Sequence, residues 1–347
     1  MAGAGIITFL HNNNFGSALQ AYALQRTIRE LGTECMHLDY RPDRTEKIRN
    51  LLISGNSLKL VLEGVRKREV IGKQSGARIK QDAIPAFYEK HMKLSKPCRN
   101  RRELQEASRE CSLLLCGSDQ IWNPVWLNPA YFLTFADKSK PKIAYAASLG
   151  VSRLPKAGKV KKIRRWTEDF RMISVREEEG ASLLEQMTGR TAAVMPDPVC
   201  LLSAAEWNEI ADKAQTGEPY LLCYFIGENP AYRERIRELQ QETGLRVLVM
   251  PVTAESYRSG YELLDGAGPE TFLAAVRDAA CFCTDSFHGL VFGTLFGTRT
   301  ELIRRYREED PESKNSRVDH FLRLTAEKGM DELRETGRTW LRNAIQN

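Results

Sequence analysis

Short apolar runs alternate along the chain with longer segments whose apolar residues recur every three or four positions. The runs predict buried strands, and the longer segments predict helices. Runs at residues 5–10 and 35–40 flank a helix that we expect to begin near Ser17, a favourable N-cap residue. A strand–helix–strand unit this short indicates a right-handed crossover within a parallel sheet.

The same alternation resumes near residue 111 and again near residue 220, which predicts an α/β protein with two successive doubly wound sheets. A length of 347 residues also fits two domains. We expect one Rossmann-like domain over residues 1–200, a second over residues 215–330, and a C-terminal helix over residues 331–347.

Residues 44–105 interrupt this alternation and predict a basic helical insert in the first domain. Between Arg41 and Glu110 the chain carries 18 Lys and Arg against 9 Asp and Glu, whereas the whole chain has a net charge of only +6. Such an excess favours an anionic partner such as lipid headgroups or nucleic acid, although a solvated helical face gives the same pattern. The block has no interleaved stacking aromatics, so we expect no nucleic-acid partner.

The composition, with 42% apolar and 28% charged residues, is that of an ordinary globular protein. Apolar runs such as residues 221–226 are far shorter than the ~20 residues that cross a bilayer. The first residues lack the features of a signal peptide, so we expect the chain in the cytosol. The eight cysteines form no Cys-x-x-Cys pair, which predicts buried thiols, and we expect no metal or cofactor.

Polar turns follow several of the predicted strands, where ligands bind in open parallel sheets. The first turn contains Asn13, Asn14 and Gly16, and Gln20 follows it. Its backbone amides have the chemistry to face an anion or sugar hydroxyls, and a simple capped turn explains the same residues. The turn lacks the glycine spacing of a dinucleotide site.

A second turn combines a carboxylate, two amides, a hydroxyl and an indole within residues 117–123. These groups suit a polyhydroxylated substrate, because the polar atoms exchange hydrogen bonds with hydroxyls while the aromatic face covers a ring. Asp119 is a candidate base for an attacking hydroxyl, or alternatively the N-cap of a following helix. The candidate binding residues of this turn are Ser118, Asp119, Gln120 and Trp122.

Two further turns supply cationic groups. Arg176 follows a predicted strand, and its guanidinium suits phosphate or carboxylate. His288 lies between Ser286 and Gly289 near a predicted helix N-terminus, where an imidazole can move a proton or bind a phosphate oxygen. Both residue types are also common in purely structural positions.

Taken together and in order, these segments resemble the polysaccharide pyruvyl transferase family. The resemblance extends over about residues 5–325 and rests on six short motifs. The motifs occupy residues 13–24, 117–124, 145–150, 173–177, 197–198 and 284–289.

The resemblance implies a GT-B-like fold, in which two Rossmann-like domains face each other across a cleft that holds the active site. It also implies phosphoenolpyruvate as donor, a pair of sugar hydroxyls on a glycan or lipid-linked oligosaccharide as acceptor, and a pyruvate ketal as product. Arg176, His288 and a further cation nearer the C-terminus would hold the donor, together with Ser286, Phe287 and Gly289. A lipid-linked acceptor would in turn explain the basic insert as a peripheral contact with an anionic inner membrane surface.

The chain departs from the family at Ser286, where many members carry Arg. Arg317 is the candidate that restores this positive charge, with Lys314, Arg304 and Arg305 as substitutes. Two alternatives stay open. A glycosyltransferase that uses a nucleotide sugar would need a carboxylate for the ribose, such as Glu301 or Glu308, and a non-catalytic sugar- or anion-binding module would need no such group.

Overall fold

Two parallel sheets form the framework of the molecule, as seen in a computed structural model that describes residues 3–55, 75–213, 217–305 and 315–346. The first sheet has six strands in the order β2-β1-β3-β4-β5-β6. Its short strands are almost entirely apolar, because helices cover both faces. The strands are β1 (Ala4–Ile7), β2 (Cys35–His37), β3 (Leu113–Cys116), β4 (Lys142–Ala147), β5 (Phe170–Val175) and β6 (Ala193–Val194).

The second sheet has five strands in the order β11-β10-β7-β8-β9, and all of its pairings are parallel. The strand order reverses direction beside β7, which is the point where doubly wound sheets bind ligands. The strands are β7 (Tyr220–Tyr224), β8 (Arg246–Val249), β9 (Glu262–Leu263), β10 (Cys281–Thr284) and β11 (Thr300–Leu302). The predicted α/β class with two Rossmann-like domains is confirmed.

Helices connect the strands and cover both sheets. Those of the first domain are α1 (Phe15–Glu30), α2 (Arg44–Ser54), α3 (Ser75–His91), α4 (Arg101–Ser108), α5 (Ala157–Thr167) and α6 (Glu178–Thr188). The remainder are α7 (Ala204–Asn208), α8 (Ala231–Thr243), α9 (Pro269–Asp278), α10 (Phe287–Phe296) and α11 (Asn315–Gln346). Short 3₁₀ helices lie at Pro124–Trp126, Pro129–Phe132, Pro198–Leu201 and Ser256–Arg258.

The two domains share an apolar core. In α1, 13 of the 16 residues are buried, because the helix packs between its own sheet and the second domain. Phe15 stacks on Tyr224 of β7 with ring centroids 6.1 Å apart and lies 5.5 Å from Phe272 of α9. The interface is therefore apolar and continuous, unlike the polar contact usual between domains.

The basic insert is helical where it is described, but it is not a solvated face throughout. Ile84, Phe87 and Tyr88 of α3 are buried in the shared core, and the Tyr88 hydroxyl donates to the carbonyl oxygen of Leu10 at 2.6 Å. His91 contacts Glu270 of α9 at 3.0 Å. Residues 56–74 of the insert, like Glu308 and Lys314, lie outside the described residues.

Local capping and backbone geometry set the helix starts. The prediction that α1 begins near Ser17 was wrong: the helix begins at Phe15, because Asn14 caps it. Helix α10 begins at Phe287, since Ser286 accepts a hydrogen bond from the Gly289 amide. Helix α11 runs from Asn315, but its backbone breaks at Gly329 (φ 76°, ψ 164°), so a helical stretch begins close to residue 331 as expected and another precedes it.

The break at Gly329 divides α11 between the domains. Before it, Phe321 packs into the shared core. After it, Leu341 and Ala344 are buried against β1, β3 and β4 of the first sheet, and Arg338 donates to the carbonyl oxygen of Leu201. The last helix thus returns to the first domain and completes its core.

All eight cysteines are buried and free, as the sequence predicted. Over the described ranges, none of the helices combines the length and the apolar character needed to span a bilayer.

Replacement of Leu341 by Ala tests the packing of α11. Leu341 is fully buried, so we expect the variant to lose about 2–5 kcal/mol in free energy of unfolding, measured by urea denaturation. Leu322→Ala on the exposed side of the same helix should change it by less than about 0.5 kcal/mol. Equal effects of the two substitutions would contradict this packing.

Candidate active site

The carboxyl edges of the two sheets meet at a cavity of about 90 Å³. Its walls come from the turns after β1, β3, β7, β10 and β11 and from the beginnings of α10 and α11, so both domains contribute. Of the residues predicted from sequence, it brings together Asn14, Asp119, Gln120, Ser286, Phe287, His288 and Arg317.

A close approach of two helix N-termini closes one side of this cavity. Gly16, in the first turn of α1, lies against the imidazole of His288 in the first turn of α10. A Cβ atom on Gly16 would lie 2.1 Å from His288 Nδ1, so any other residue must displace the ring. Gly16 therefore permits the contact between the two domains.

The buried carboxylate of Asp197 contacts basic side chains from both domains. Arg176 Nη1 donates to Asp197 Oδ2 at 2.5 Å, and His288 Nε2 lies 3.5 Å from the same oxygen. Burial alone would raise the pKa of Asp197, but the charges of His288 and Arg176 hold it well below its usual range. The carboxylate is thus an anion that brings Arg176 and His288 to one place.

Arg176 is itself buried and faces several anions. Its Nη2 atom lies 4.0 Å from Asp119 Oδ1, and its guanidinium carbon lies 4.7 Å from the centre of the Phe287 ring. Burial would lower the pKa of Arg176, yet Asp197, Glu177 and Asp119 raise it above its usual value. Nε and Nη2 have no hydrogen-bond partner within the part of the chain that is described.

Asp119 presents an ionised carboxylate to the cavity. The Ser17 hydroxyl donates to Oδ2 at 2.6 Å, and the backbone N–H of Gln120 donates to Oδ1 at 2.8 Å. Despite burial, which acts in the other direction, the charges of Arg176 and His288 lower the pKa of Asp119. The N-cap alternative is wrong: turns lead from Asp119 to a 3₁₀ helix whose N-cap is Asn123.

Arg317 supplies a further cation beside the Phe287 ring, 5.9 Å from its centre. Burial and the nearby Arg176 lower the pKa of Arg317 to about 10, so it remains charged at neutral pH. Its Nε atom finds no hydrogen-bond partner among the described residues.

The side-chain amide of Gln120 lies between two competing donors. Asn123 Nδ2 donates to its oxygen at 3.0 Å in one orientation. With the amide turned over, the oxygen accepts from Arg317 Nη1 and Nη2 at 2.9 and 3.2 Å. The same oxygen cannot face both groups, so Gln120 is a ready neutral partner for Arg317.

Of the other three candidate cations, the two that the structure describes are engaged in ion pairs at the cavity wall. Arg305 Nε donates to Asp285 Oδ2 at 2.8 Å, and Arg304 pairs with Asp319 at 2.6 Å. Asp285 also accepts from the amides of Ile226 and Gly227 at 2.7 and 2.9 Å, which fixes the turn after β7. Of the described candidates, Arg317 is therefore the one with no ion pair among the residues that the structure describes.

Several predicted acceptor residues do not present their side chains to the cavity. The Trp122 ring is buried and stacks on Phe132 at 5.0 Å, so the expectation that it covers a sugar ring was wrong. Gln20 is fully buried, where its amide donates to Thr8 and accepts from the Ser118 amide. The buried Ser118 hydroxyl donates to the carbonyl oxygen of Ala146 at 2.6 Å. These residues support the site without reaching the cavity, and Asn13 is exposed outside it.

Sequence reasoning assigned no place in the site to Asp197, Asp285 or Ser17, although all three occupy the quoted motifs. A polar residue directly after a buried strand was the available signal for the two aspartates. The pairing of Ser17 with Asp119, 102 positions away, had none. As for metals, the described residues contain no group of three or more His, Cys, Asp or Glu arranged to hold an ion.

Comparison with solved structures defines the class of fold. UDP-GlcNAc 2-epimerase from Neisseria meningitidis, bound to UDP-GlcNAc, matches with a TM-score of 0.52 and 10% identity over 99% of both chains. A Listeria monocytogenes protein provisionally assigned as a UDP-N-acetylglucosamine 2-epimerase matches with a TM-score of 0.51 and 11% identity, over 95% of this chain and 89% of that one. The protein thus has the GT-B fold of two facing Rossmann-like domains.

The match to a sequence family is more specific. The model of the family described as polysaccharide pyruvyl transferase matches residues 14–302, and the chain belongs to that family. The protein is accordingly a transferase of polysaccharide biosynthesis. No protein with a curated description matches the chain.

The Asp197→Asn substitution tests the central carboxylate. It leaves Arg176 buried without its anion, so we expect a loss of about 3–5 kcal/mol in the free energy of unfolding at pH 7. Because the pKa of Asp197 is depressed on folding, its contribution is complete above the unfolded pKa of about 3.9 and declines as pH falls through the folded value. The difference from wild type in urea denaturation should therefore be constant from pH 7 to 5 and shrink only below about pH 4. Asp331→Asn, at an exposed pair, should cost less than about 1 kcal/mol throughout.

Gly16→Ala tests the contact between the helix N-termini. The added methyl group must displace the His288 ring, so we expect a cost of about 1–3 kcal/mol and a shifted His288 imidazole resonance in ¹⁵N NMR. Gly158→Ala in α5 is the matched control, since no atom lies within 4 Å of its added Cβ. An unchanged His288 resonance in Gly16→Ala would contradict the geometry.

Proposed function

We propose that the protein transfers the enolpyruvyl group of phosphoenolpyruvate to a pair of sugar hydroxyls, forming a pyruvate ketal. The acceptor is a cell-surface glycan or its lipid-linked precursor. Within the transferase family, the observation that carries this proposal is that His288 and Arg317 line one small cavity with Phe287, while the buried Arg176 lies against the same Phe287 ring.

The cationic side of the cavity supports a compact donor that bears a carboxylate and a phosphate. Arg317 is charged, and its Nε atom has no hydrogen-bond partner among the described residues, while His288 Nε2 has only the 3.5 Å contact with Asp197. The first turn of α10 adds backbone amides and the positive end of a helix dipole. Ser286 cannot supply the charge of an arginine, and Arg317 takes that place beside Phe287.

The anionic side supports activation of a hydroxyl. Asp119 is ionised and faces the cavity, and the Ser17 hydroxyl and the backbone N–H of Gln120 orient its carboxylate. A carboxylate in this state can accept the proton of an attacking sugar hydroxyl. Asn14 and Gln120, which line the same cavity, supply further hydrogen-bonding groups for the acceptor.

The proposed reaction is an addition followed by an elimination. His288 delivers a proton to the methylene carbon of phosphoenolpyruvate, and the first hydroxyl bonds to the neighbouring carbon as Asp119 takes its proton. The second hydroxyl then bonds to this carbon as phosphate departs with the carbon–oxygen electron pair, and that hydroxyl's proton leaves with phosphate. Arg176 and Arg317 stabilise the charge that develops on the leaving group. The proton held by Asp119 returns to His288, so the enzyme is regenerated.

A nucleotide-sugar glycosyltransferase is the second candidate, because a similar fold binds UDP-GlcNAc in the Neisseria meningitidis epimerase. The carboxylates disfavour it. Glu301 pairs with Arg235 and Arg299 at 3.4 and 3.7 Å, and Glu308 lies outside the described residues. Asp285, which does line the cavity, is occupied by two amides and Arg305. A non-catalytic binding module would have no use for the ionised Asp119 opposite the cations.

Substitution of His288 and Arg317 tests the proposal. With phosphoenolpyruvate and candidate glycans, phosphate release and product mass should show His288→Ala lowering kcat by about 10²–10⁴. Arg317→Ala should raise KM for phosphoenolpyruvate by at least tenfold, because one charge-assisted contact contributes about 1.5–3 kcal/mol. Arg323→Ala is the control, since Arg323 is exposed and pairs with Glu178.

The choice of donor has its own test. Thermal unfolding should shift upward with phosphoenolpyruvate and remain unchanged with a panel of nucleotide sugars. Stabilisation by a nucleotide sugar alone would overturn the proposal in favour of glycosyl transfer. Near-normal turnover by His288→Ala would remove this residue from the mechanism.

A further inference from the structure

Four large apolar side chains are exposed on one part of the first domain. Leu52 is 75% exposed and Ile48 50%, one turn apart on α2. Trp126 in the 3₁₀ helix is 53% exposed, and Leu154, three residues before α5, is 51% exposed. Over the described residues, only one other large apolar side chain, Leu322, is exposed to a similar degree. Single exposed apolar side chains scattered over a surface need no explanation, but several in one region indicate a binding surface.

Direct contacts hold these segments together. Helix α2 packs against the 3₁₀ helix at Pro124–Trp126. Lys162 Nζ of α5 donates to the carbonyl oxygen of Ile53 in α2 at 2.7 Å, and Lys159 Nζ donates to that of Pro124 at 2.7 Å. The end of α2, the 3₁₀ helix and the start of α5 therefore form one face, called here the α2–α5 face.

Positive charge surrounds the apolar side chains on this face. Residues 151–167 contain no acidic residue, and the only acid of α2, Glu46, is buried and pairs with Arg49 at 3.7 Å. Burial and the neighbouring Lys156 and Lys162 lower the pKa of Lys159. The exposed cations of the face are Arg44, Lys47, Arg49, Arg153, Lys156 and Lys161.

We propose that the α2–α5 face binds the surface of an anionic lipid bilayer. This inference locates the membrane contact that a lipid-linked acceptor would require. It rests on the proposed function only in assuming that the acceptor is linked to a lipid. Exposed Leu, Ile and Trp side chains insert among acyl chains and headgroups, while Lys and Arg around them attract anionic lipid. A protein partner fits this face less well. A basic protein surface would be repelled by the cations, and an apolar protein surface would leave the cations unpaired.

The position of this face relative to the cavity fits an acceptor held in the membrane. The turn after β3 carries Gln120 at the cavity and reaches Trp126 six residues later, a span of at most about 20 Å. The turn after β4 leads likewise to Leu154. Both segments leave the carboxyl edge of the first sheet, which is the edge that borders the cavity. A bilayer seated on the face would thus bring headgroup-linked sugars to the mouth of the site.

Vesicle co-sedimentation of the full chain tests the proposal. The probes are vesicles of equal parts phosphatidylglycerol and phosphatidylcholine, against phosphatidylcholine alone, at low and high salt. We expect binding to the anionic vesicles at low salt that weakens at high salt. Leu52→Ser combined with Leu154→Ser should weaken binding about tenfold or more, because two inserting side chains are lost.

Charge variants separate the two contributions. Lys47→Gln, Lys156→Gln and Lys161→Gln should each weaken binding about fivefold, and the loss should vanish at high salt. Leu322→Ser and Arg237→Gln are the matched controls, since both residues are exposed elsewhere in the molecule, and they should bind like wild type. Absence of binding to anionic vesicles at low salt, or equal losses in variants and controls, would overturn the inference.

Activity on a short water-soluble glycan distinguishes the two proposals. The Leu52→Ser, Leu154→Ser variant should keep wild-type turnover on that acceptor, which also shows that it folds. If it does so and wild type ignores the vesicles, the docking surface is wrong and the proposed function stands. If wild type binds vesicles but releases no phosphate from phosphoenolpyruvate with any acceptor, the proposed function is wrong and the docking surface stands.

Discussion

The Asp197 carboxylate is the constraint on which the site depends. It lies in the first domain just beyond β6, where it binds Arg176 of the same domain and approaches His288 of the other. An ionised group without exposure is stable only when cations and hydrogen bonds surround it, and here those partners are the groups that the proposed chemistry uses. The energy of one buried charge therefore sets both the spacing of the cations and the contact between domains.

This constraint acts together with an apolar interface that restricts relative motion. Helix α1 is buried along nearly its whole length, with Phe15 inserted between aromatic rings of the second domain. Domains that meet through polar surfaces commonly rotate on ligand binding, whereas opening this pair would expose a continuous core. Gln120 and Arg317, which line the cavity, therefore change their contacts by side-chain rotation and not by a movement of the domains.

The fold was predictable because its signal is local. Buried parallel strands are apolar throughout and helices have their own period, so the order of elements followed from residues such as those of β3 and α1. The carboxyl-edge rule also selected Asp119, Arg176 and His288, which lie close together in the structure. Trp122 shows what local sequence does not predict. An indole after a strand can face a ligand or the core, and here its stacking on Phe132 places it in the core. The residues around Trp122 give no sign of that contact. The sequence offered Arg317 as one of four candidate cations and gave no means of choosing among them, because the position of each depends on packing between residues far apart in the chain.

The broken helix α11 gives the second domain a mechanical tie to the first. Arg317 stands two residues after its start, and Gly329 lets the remainder turn away to pack beneath the first sheet. Twelve residues of helix amount to about 18 Å, so the bend is remote from the Arg317 guanidinium. Its φ of 76° is one that a side chain tolerates poorly. A residue with a side chain at position 329 would therefore strain the connection between the two halves of this helix, at a position that does not itself line the cavity.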